Sequence, residues 1–357
     1  MKSIETLTQE AIALLKNLIE TESFSSEEEH TAALIEKWFT QNNIPFEREN
    51  NNVWAYNKTF DKSKPTLLLN SHHDTVRPNQ AYTKDPLKAI VEDGKLYGLG
   101  SNDAGGCLVS LLATFAHFYS NEKLPYNIVM VASAEEESSG KNGLNSVLKH
   151  LPKLDCAIVG EPTLMQLAIA EKGLLVLDVI VKGTPSHAAH QNEDNPIYNA
   201  IPVIEWFNSF KFEKISEQLG PVKMTVTQIN AGKQHNVVPS QCDLVVDIRV
   251  NDCYTNSEIL AIIKKQLTAE INPRSMHLNA SSIPVAHGLV QAGIALGRTT
   301  YGSPTLSDQS VLSCQSLKLG PGETLRSHSA DEFIFINEIE EGIQLYIKIL
   351  TDFFEQQ

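Results

Sequence analysis

Hydrophobic positions near the start of the chain recur with the spacing of amphipathic helices. Apolar side chains at Ala11, Leu14 and Leu18 predict a helix over about residues 8–20. Two serines at 25 and 26, followed by glutamates, form a capping-box pattern that predicts a second helix through Phe39. A further amphipathic pattern lies at about residues 336–354. These helices offer apolar faces that can pack on a sheet.

Three apolar runs predict buried strands, and each run leads directly into acidic or imidazole side chains. The strands are expected at about Thr66–Ser71, Asn127–Ala134 and Asp155–Val159. The residues after them read H-H-D from position 72, E-E-E from position 135 and G-E-P from position 160. Uninterrupted apolar strands are typical of a mostly parallel sheet, in which the carboxyl ends of the strands meet at one edge. The sequence therefore predicts an active site at that edge, organised around His72.

A different pattern begins near Gly173 and ends near Ile283. Its elements follow the order β-α-β-β-α-β, which is typical of a ferredoxin-like unit, with a last helix at about 257–270 and a last strand at about 276–283. We therefore predict an α/β fold with a mixed, mostly parallel sheet flanked by helices and an inserted ferredoxin-like α+β lid. The predicted domains are a discontinuous core, residues 1–173 and 284–357, and a lid, residues 174–283.

Composition narrows the classes of function that such a fold can serve. The 357 residues include 43 acidic and 29 basic side chains, which gives a formal net charge of −14. This surplus argues against nucleic acid and against an anionic membrane as the main partner. The five cysteines are scattered without C-x-x-C spacing, which excludes a cysteine zinc knuckle and fits reduced thiols. Because the first residues lack a signal-peptide core and no apolar run approaches membrane-spanning length, a cytoplasmic protein is expected.

Residues able to bind metal recur at the predicted strand ends and in two loops. The loop G-L-G-S-N-D-A-G-G carries Asp103, and the segment R-S-H-S carries His328. The candidate set is His72, Asp74, Asp103, Glu136, Glu137, Glu161 and His328. Two metal ions about 3.5–4 Å apart need a bridging carboxylate with further carboxylates and imidazoles, and this set contains them. Taken singly, each residue is as well explained as a cap, a turn or a solvated surface group. Their recurrence at strand ends is what indicates a metal site.

Six segments of the chain resemble the M20 family of metallopeptidases and aminoacylases, whose members include acetylornithine deacetylase, succinyl-diaminopimelate desuccinylase and carboxypeptidase G. They are N-S-H-H-D-T-V, G-L-G-S-N-D-A-G-G, S-A-E-E-E, V-G-E-P-T, G-T-P-S-H and R-S-H-S-A-D-E-F, in the family's order over essentially the whole chain. The resemblance implies a zinc-exopeptidase-like core with two zinc ions per chain, cobalt or manganese being alternatives. It also implies a homodimer formed through the lid.

The metal ligands implied by the resemblance come from all parts of the predicted core. Asp103 would bridge the two ions. His72 and Glu161 would complete the site of one ion, and Glu137 and His328 would complete the site of the other. Each of these five residues occupies the matching position of a family segment.

The resemblance also implies roles in catalysis and substrate binding. Asp74 would hold the His72 ring, and Glu136 would take a proton from the attacking water and pass it to the leaving amine. His187, in G-T-P-S-H, would reach the partner subunit's site and stabilise the oxyanion, unless it is an ordinary loop histidine. Asn236 and Arg249 match positions that hold the substrate's carboxylate, although Arg249 is equally well explained as a surface residue of a strand.

Two departures from the family pattern bear on these assignments. Many members carry D-M-K-G-G where this chain has D-A-G-G, so a lysine is missing beside Asp103 and the loop is shorter. We expect this difference to alter the shape of the pocket more than metal binding. The run of three glutamates leaves the register open: the family pattern places the base at Glu136 and the ligand at Glu137, and a slip by one residue would place them at Glu135 and Glu136.

The expected activity is metal-dependent hydrolysis of the amide bond of a small-molecule N-acyl amino acid. The short chain, the G-P-G-E loop at 320–323 and the single compact lid favour acetylornithine deacetylase-like enzymes of arginine biosynthesis, acting on N-acetylornithine or N-acetylcitrulline. A dipeptidase, a carboxypeptidase-like peptidase or a succinyl-diaminopimelate-type desuccinylase would use the same kind of site. A non-catalytic binding protein is a further alternative, and it predicts no bound metal.

Overall fold

The computed structural model describes residues 2–356 and consists of two compact units. The first unit contains the residues up to 169, residues 282–301 and the residues from 307 onward. The second contains residues 170–281 and 302–306. Among the helices of residues 2–356, none combines the length and apolarity that crossing a membrane requires.

Residues 2–356 form eight α-helices, eighteen strands and several short helical turns. The helices are α1 (Ile4–Ile19), α2 (Glu29–Gln41), α3 (Gly106–Phe118), α4 (Leu144–Val147), α5 (Pro196–Ser209), α6 (Asn256–Gln266), α7 (Gly288–Ala295) and α8 (Ile336–Glu355). The strands are β1 (Glu47–Glu49), β2 (Asn52–Tyr56), β3 (Thr66–His72), β4 (Ile90–Glu92), β5 (Lys95–Tyr97), β6 (Asn127–Ser133), β7 (Cys156–Val159), β8 (Leu167–Glu171), β9 (Gly173–Lys182), β10 (Ser186–His187), β11 (Lys223–Ala231), β12 (Val237–Val238), β13 (Gln241–Val250), β14 (Glu270–Pro273), β15 (Ser281–Ser282), β16 (Thr300–Ser303), β17 (Gln315–Lys318) and β18 (Phe333–Phe335). Short turns of helix lie at Ser101–Gly105, Leu148–His150, Asp308–Val311 and Thr324–Arg326.

The main sheet of the first unit has the strand order β1-β2-β6-β3-β7-β17-β8. Its four central strands are parallel neighbours, whereas β1, β2 and β8 join it in antiparallel fashion. Helices α1, α3 and α8 pack against one another, and their apolar faces form the largest core cluster. The predicted mixed, mostly parallel sheet flanked by helices is confirmed.

Strand β3 shows why the apolar run T-L-L-L is uninterrupted. Leu67 and Leu69 belong to the core cluster that includes α1, α3 and α8, whereas Leu68 belongs to a second cluster with residues of α4. All three leucines are fully buried, because the strand is covered on both faces. A strand covered on one face would show alternation instead.

The strand register brings the carboxyl ends of the central strands to one level. His72 at the end of β3 pairs with Ser133 at the end of β6, and Asn70 pairs with Val159 at the end of β7. The residues that leave these strands therefore start from one edge of the sheet. Side chains that follow three different strands are therefore brought together by the pairing of the strands and not by one loop.

The second unit is a four-stranded antiparallel sheet with two helices. Its elements β9, α5, β11, β13, α6 and β14 follow one another along the chain, and the strand order is β11-β13-β9-β14. This arrangement is the ferredoxin-like unit predicted from the sequence. The prediction of its last helix and strand was wrong in detail. Helix α6 ends at Gln266, and the fourth strand is β14, whose Ile271 is buried opposite Val179.

The start of the second helix also differs from the prediction. The residue preceding α2 is Glu28, and neither Ser25 nor Ser26 caps the helix. The two serines instead donate hydrogen bonds to carboxylates at the sheet edge, Ser25 to Asp74 and Ser26 to Glu135. The two serines therefore form contacts between distant segments and do not cap the helix.

Candidate metal centre

His72 lies at the centre of a cluster of carboxylates at the carboxyl end of β3. Its side chain is 1% exposed, and its Nδ1 lies 3.0 Å from the backbone carbonyl of Asp74, to which it can donate. That contact leaves Nε2 as the acceptor nitrogen. Nε2 faces three carboxylates, at 3.4 Å from Asp103, 3.8 Å from Glu161 and 4.0 Å from Glu136.

The two carboxylate oxygens of Asp103 face two different histidines. Oδ1 lies 3.4 Å from Nε2 of His72, and Oδ2 lies 3.7 Å from Nε2 of His328. Both oxygens of Glu137 lie within 3.1 Å of the same His328 nitrogen. Asp103 thus stands between two imidazoles that each have further carboxylates beside them, which is the position a bridging ligand requires.

Two groups of three side chains can each gather their ligand atoms within 4.8 Å of one another. One group is His72, Asp103 and Glu137, and the other is His72, Glu136 and Glu161. Imidazole nitrogen and carboxylate oxygen are the donors that zinc and other first-row divalent ions accept. Both groups use His72, so by themselves they do not define two separate sites. With the second imidazole, that of His328 beside Asp103 and Glu137, the cluster contains donors enough for two divalent ions.

Asp74 contacts more of the cluster than the sequence suggested. Its Oδ1 lies 3.4 Å from Nδ1 of His72, as expected for a residue that orients the ring. Its two oxygens also accept hydrogen bonds from the backbone N–H groups of Glu136, at 3.0 Å, and Glu137, at 3.1 Å. A third bond comes from the Ser25 hydroxyl at 2.6 Å. Asp74 therefore connects the ends of β3 and β6.

The three consecutive glutamates point in different directions. The carboxylate of Glu135 accepts hydrogen bonds from the backbone and side-chain amides of Asn142, both at 3.0 Å, and from Ser26. Glu136 and Glu137 lie beside the histidines instead. The geometry favours the register with Glu136 and Glu137 in the cluster over the slip to Glu135.

His73 points away from the cluster and has a structural environment. It is 6% exposed, and its ring nitrogens lie 2.9 Å from the Thr31 hydroxyl and 2.9 Å from the carbonyl of Asn51. Burial lowers the pKa of His73 to about 4. This neutral ring joins α2 and the β1–β2 turn to the end of β3.

Negative charge exceeds positive charge in the cluster. Burial raises the pKa of the Glu161 carboxyl to about 8, and the charge of Asp103 adds to this shift. Burial lowers the pKa of His72, but hydrogen bonds to its carboxylate neighbours outweigh burial and raise it. The hydrogen bond to Glu137 raises the pKa of His328 to about 9. Without cations, protons must balance the carboxylates, and divalent ions can take their place.

Three further residues of the site were missed by sequence reasoning. Asp308 is buried and accepts a 2.6 Å hydrogen bond from Ser133 at the end of β6, and burial raises its pKa to about 6. Glu332 and Asn102 tie the Asp103 loop to the segment that carries His328. Their signal was present only as the D-E of R-S-H-S-A-D-E-F and the N-D of G-L-G-S-N-D.

In the second unit, His187 and Asn236 lie on neighbouring segments. His187 is exposed and forms part of β10, which pairs with β12. The backbone carbonyl of Asn236 accepts a hydrogen bond from Ala188 at 3.0 Å, and the Asn236 side chain is exposed. The two segments are therefore joined through their backbones, and both side chains are exposed.

Arg249 lies in a different sheet from His187. It belongs to β13 of the four-stranded sheet and pairs with Leu174 of β9, whereas His187 belongs to the two-stranded sheet of β10 and β12. The guanidinium of Arg249 forms a two-point ion pair with Asp247, with N···O distances of 2.9 and 3.1 Å. The guanidinium of Arg249 is thus engaged by a carboxylate of its own strand.

Comparison with known proteins agrees with this geometry. The model of peptidase family M20/M25/M40 matches residues 68–352. A succinyl-diaminopimelate desuccinylase of Wigglesworthia glossinidia brevipalpis is 28% identical over 71% of this chain and 73% of its own length. Succinyl-diaminopimelate desuccinylase 2 of Ruegeria sp. (strain TM1040) is 22% identical over 96% of this chain and 95% of its own length. The solved structure of a dinuclear metal binding peptidase of the M20 family from Bacillus subtilis has a TM-score of 0.73 at 14% identity, covering 99% of this chain and all of that one.

The match covers most of the chain, from β3 with His72 to the last turns of α8, and it includes the whole candidate metal cluster. The family and the chemistry of the donor set point to the same class of enzyme, a metal-dependent amidohydrolase. The chain belongs to peptidase family M20/M25/M40.

Proposed function

We propose that this protein hydrolyses the amide bond of an N-acyl amino acid, with an N-succinyl amino acid as the leading substrate class. Hydrolysis adds water across the bond: the carbonyl carbon gains the oxygen, the C–N bond breaks, and the leaving nitrogen takes a proton. The observation that carries the proposal is the position of Asp103, whose two oxygens face His72 and His328 with further carboxylates beside each.

The ligand set proposed for the two ions is the one implied by the family resemblance. His72 and Glu161 would hold one ion, Glu137 and His328 the other, and Asp103 both. When bound, such ions polarise the scissile carbonyl and make water acidic enough to attack near neutral pH. Asp74 supports this set from behind, because it accepts the backbone N–H of Glu137 and contacts the His72 ring.

Glu136 is the proposed proton carrier. Its carboxylate lies 4.0 Å from Nε2 of His72. Burial raises the pKa of Glu136 well above its usual range, and the charge of Glu161 adds to the shift. A carboxyl whose pKa is closer to neutrality can accept a proton from water and return it to an amine more effectively. The backbone N–H of Glu136 donates a hydrogen bond to Asp74, which limits the movement of the backbone that carries this side chain.

The choice of acyl group rests on the relatives. Two of the similar curated proteins are named succinyl-diaminopimelate desuccinylases. This supports the desuccinylase alternative over the acetylornithine-type deacetylase that the loop G-P-G-E and the short chain had favoured, and the relatives give no support to a place in arginine biosynthesis. N-acetylornithine and N-acetylcitrulline stay in the test as competing substrates. A peptidase on the same site is the second alternative, and the Bacillus subtilis structure supports the fold alone.

A site completed across a dimer is proposed from the family resemblance. His187 of one subunit would reach the site of its partner and stabilise the oxyanion there. Arg249, after release from Asp247, and Asn236 would hold the carboxylate of the substrate.

A substrate screen tests this proposal. The purified protein, supplied with zinc or cobalt, is assayed against N-succinyl-diaminopimelate, N-succinylornithine, N-acetylornithine, N-acetylcitrulline and unblocked dipeptides. We expect the highest kcat/KM on an N-succinyl amino acid and a kcat lower by about 10² or more with Glu136→Gln. A preference for N-acetyl substrates would show that the acyl group is acetyl and not succinyl. A preference for dipeptides would show that the protein is a peptidase and not an N-acyl amino acid hydrolase. Metal analysis of gently purified protein that finds no bound ion would overturn the enzymatic proposal.

A further inference from the structure

Two segments that carry candidate metal ligands meet in a small antiparallel ladder. β5 pairs with β18, with Tyr97 opposite Phe333, and the backbone N–H of Gly98 donates to the carbonyl of Glu332 where the ladder ends. The chain that leaves β5 reaches Asp103 within six residues. The chain that enters β18 passes His328 five residues before the ladder. The position of Asp103 relative to His328 therefore depends on the contacts between the segment after β5 and the segment before β18.

The side chain of Glu332 makes that connection in one direction. Its Oε1 accepts hydrogen bonds from the backbone N–H groups of Asn102, at 2.8 Å, and Asp103, at 2.9 Å. Its Oε2 accepts a third from Gly100 at 3.0 Å. The side chain is 2% exposed, so water cannot substitute for these bonds. One buried carboxylate thus holds three backbone donors of the loop that presents Asp103.

Asn102 makes the connection in the other direction. Its amide nitrogen donates to the backbone carbonyl of Glu323, and its amide oxygen accepts the backbone N–H of the same residue, both at 3.0 Å. Gly322 has a φ of +84°, and an added Cβ there would lie 2.5 Å from the Asn102 oxygen. The loop before His328 is thus fixed to the Asp103 loop by a pair of bonds like those of a sheet.

We propose that Glu332 is a positioning residue for the metal centre, which acts with Asn102 to set the separation between Asp103 and His328. Glu332 itself points at backbone amides and not at the ligand atoms, so its influence passes through the loop of residues 100–103. The observed result is the 3.7 Å distance from Asp103 Oδ2 to His328 Nε2. This inference rests on the proposed metal centre, and its test separates the two.

The chain offers a matched control at the next position. Asp331 also accepts three hydrogen bonds, from the N–H and hydroxyl of Thr83 and from the N–H of Lys84, but it holds a different loop. Three variants are compared with the wild type: Glu332→Gln, Glu332→Asp and Asp331→Asn. Glu332→Gln leaves a buried N–H facing an amide group. Glu332→Asp keeps the charge but shortens the reach, so it separates positioning from simple attraction between a carboxylate and cations.

The first measurement needs no metal. Hydrogen exchange is followed by mass spectrometry on peptides covering residues 98–106 of the metal-free proteins. We expect exchange at Gly100, Asn102 and Asp103 to become at least about tenfold faster in both Glu332 variants and to stay unchanged in Asp331→Asn. The corresponding change for Asp331→Asn is expected at residues 83 and 84. Unchanged exchange at 100–103 in soluble, folded Glu332→Gln or Glu332→Asp would overturn the proposal.

The second measurement is a cobalt titration that follows the visible absorption of bound Co²⁺, which reports coordination geometry. Loss of a residue that orients a ligand typically weakens metal binding about 10- to 100-fold. We expect that loss, with an altered spectrum, in both Glu332 variants and an effect below about threefold in Asp331→Asn. If Glu332→Asp binds like wild type, charge alone acts and the positioning proposal fails. If the wild type itself binds no cobalt, the proposed function fails while the exchange measurement still decides the role of Glu332. If Glu332→Gln does not fold, Glu332→Asp carries both measurements.

Discussion

Replacing Asp74 by asparagine tests the connection between the ends of β3 and β6. The carboxylate is fully buried and accepts three hydrogen bonds, from Ser25, Glu136 and Glu137. An amide of the same shape offers one oxygen in place of two. Whichever way it is oriented, its NH₂ group faces at least one N–H or hydroxyl donor. The variant therefore loses hydrogen bonds without leaving a cavity.

The magnitude follows from these contacts. Leaving a buried donor unsatisfied costs about 1–3 kcal/mol, and hydrogen bonds to a charged group lie at the upper end. If this cost falls on the arrangement of Glu136 and Glu137, it corresponds to about a 5- to 150-fold weaker affinity for the ion that Glu137 is proposed to bind. The same range is typical for residues that orient metal ligands. We also expect a lower free energy of unfolding for the metal-free variant, by about 1–3 kcal/mol.

The assay combines metal titration, urea unfolding of the metal-free protein and kcat/KM on the best substrate. Ser25→Ala is the matched control, because Ser25 donates to the same carboxylate but contacts neither glutamate N–H. For it we expect a stability loss of about 0.5–1.5 kcal/mol and metal affinity within about threefold of wild type. An Asp74→Asn protein with wild-type metal affinity and activity would refute the argument. So would equal effects of the two variants on metal binding.

Four further predictions concern other parts of the site. Glu136→Gln should retain metal and stability while kcat falls by about 10² or more, because only the proton carrier is lost; activity that survives there but disappears in Glu135→Gln would reverse the register. Treatment with a chelator should abolish activity and lower the melting temperature, with recovery on adding zinc or cobalt; activity that persists in protein proven metal-free would count against the metal centre. Mixed dimers of His187→Ala and Glu136→Gln subunits should regain part of the activity, and no recovery in verified mixed dimers would argue against a shared site. His73 has a pKa of about 4 in the folded protein, against an ordinary value near 6.5. Its neutral ring therefore stabilises the fold above pH 6.5, and this contribution is lost as the pH falls toward 4. The difference in unfolding free energy between wild type and His73→Gln should narrow over that interval, and a constant difference would contradict the prediction.

The fold was predictable where the pattern of apolar residues reflects burial. Strand β3 is apolar at Leu67, Leu68 and Leu69 because it is covered on both faces, and this pattern alone indicated a parallel sheet. Strand β14 was misplaced because it is four residues long and buries Ile271 as its one large side chain, which gives no readable periodicity. The helix before it ends at Gln266, and no glycine or proline there announces the end.

The cluster of candidate ligands was predictable because the sheet aligns the ends of its strands, whereas the residues that support the cluster were not predictable. Asp74 and Glu332 act through backbone N–H groups of segments that lie 62 and 229 or more residues away along the chain. Almost every residue has a backbone N–H group, so the sequence does not show which of them bind a distant carboxylate. Ser25 and Ser26 illustrate the reverse error, since a local motif suggested a helix cap while both hydroxyls reach distant carboxylates.

The two supports divide the site into halves that are held in the same way. Asp74 fixes the backbone of Glu136 and Glu137 after β6, and Glu332 fixes the backbone of Asp103 after β5. In each half a buried carboxylate that is not itself a proposed ligand takes up N–H groups which would otherwise be unsatisfied. An amide in place of either carboxylate would turn its NH₂ group toward at least one of these donors. On this argument, isosteric amide variants at the two positions should weaken metal binding even where folding is unharmed.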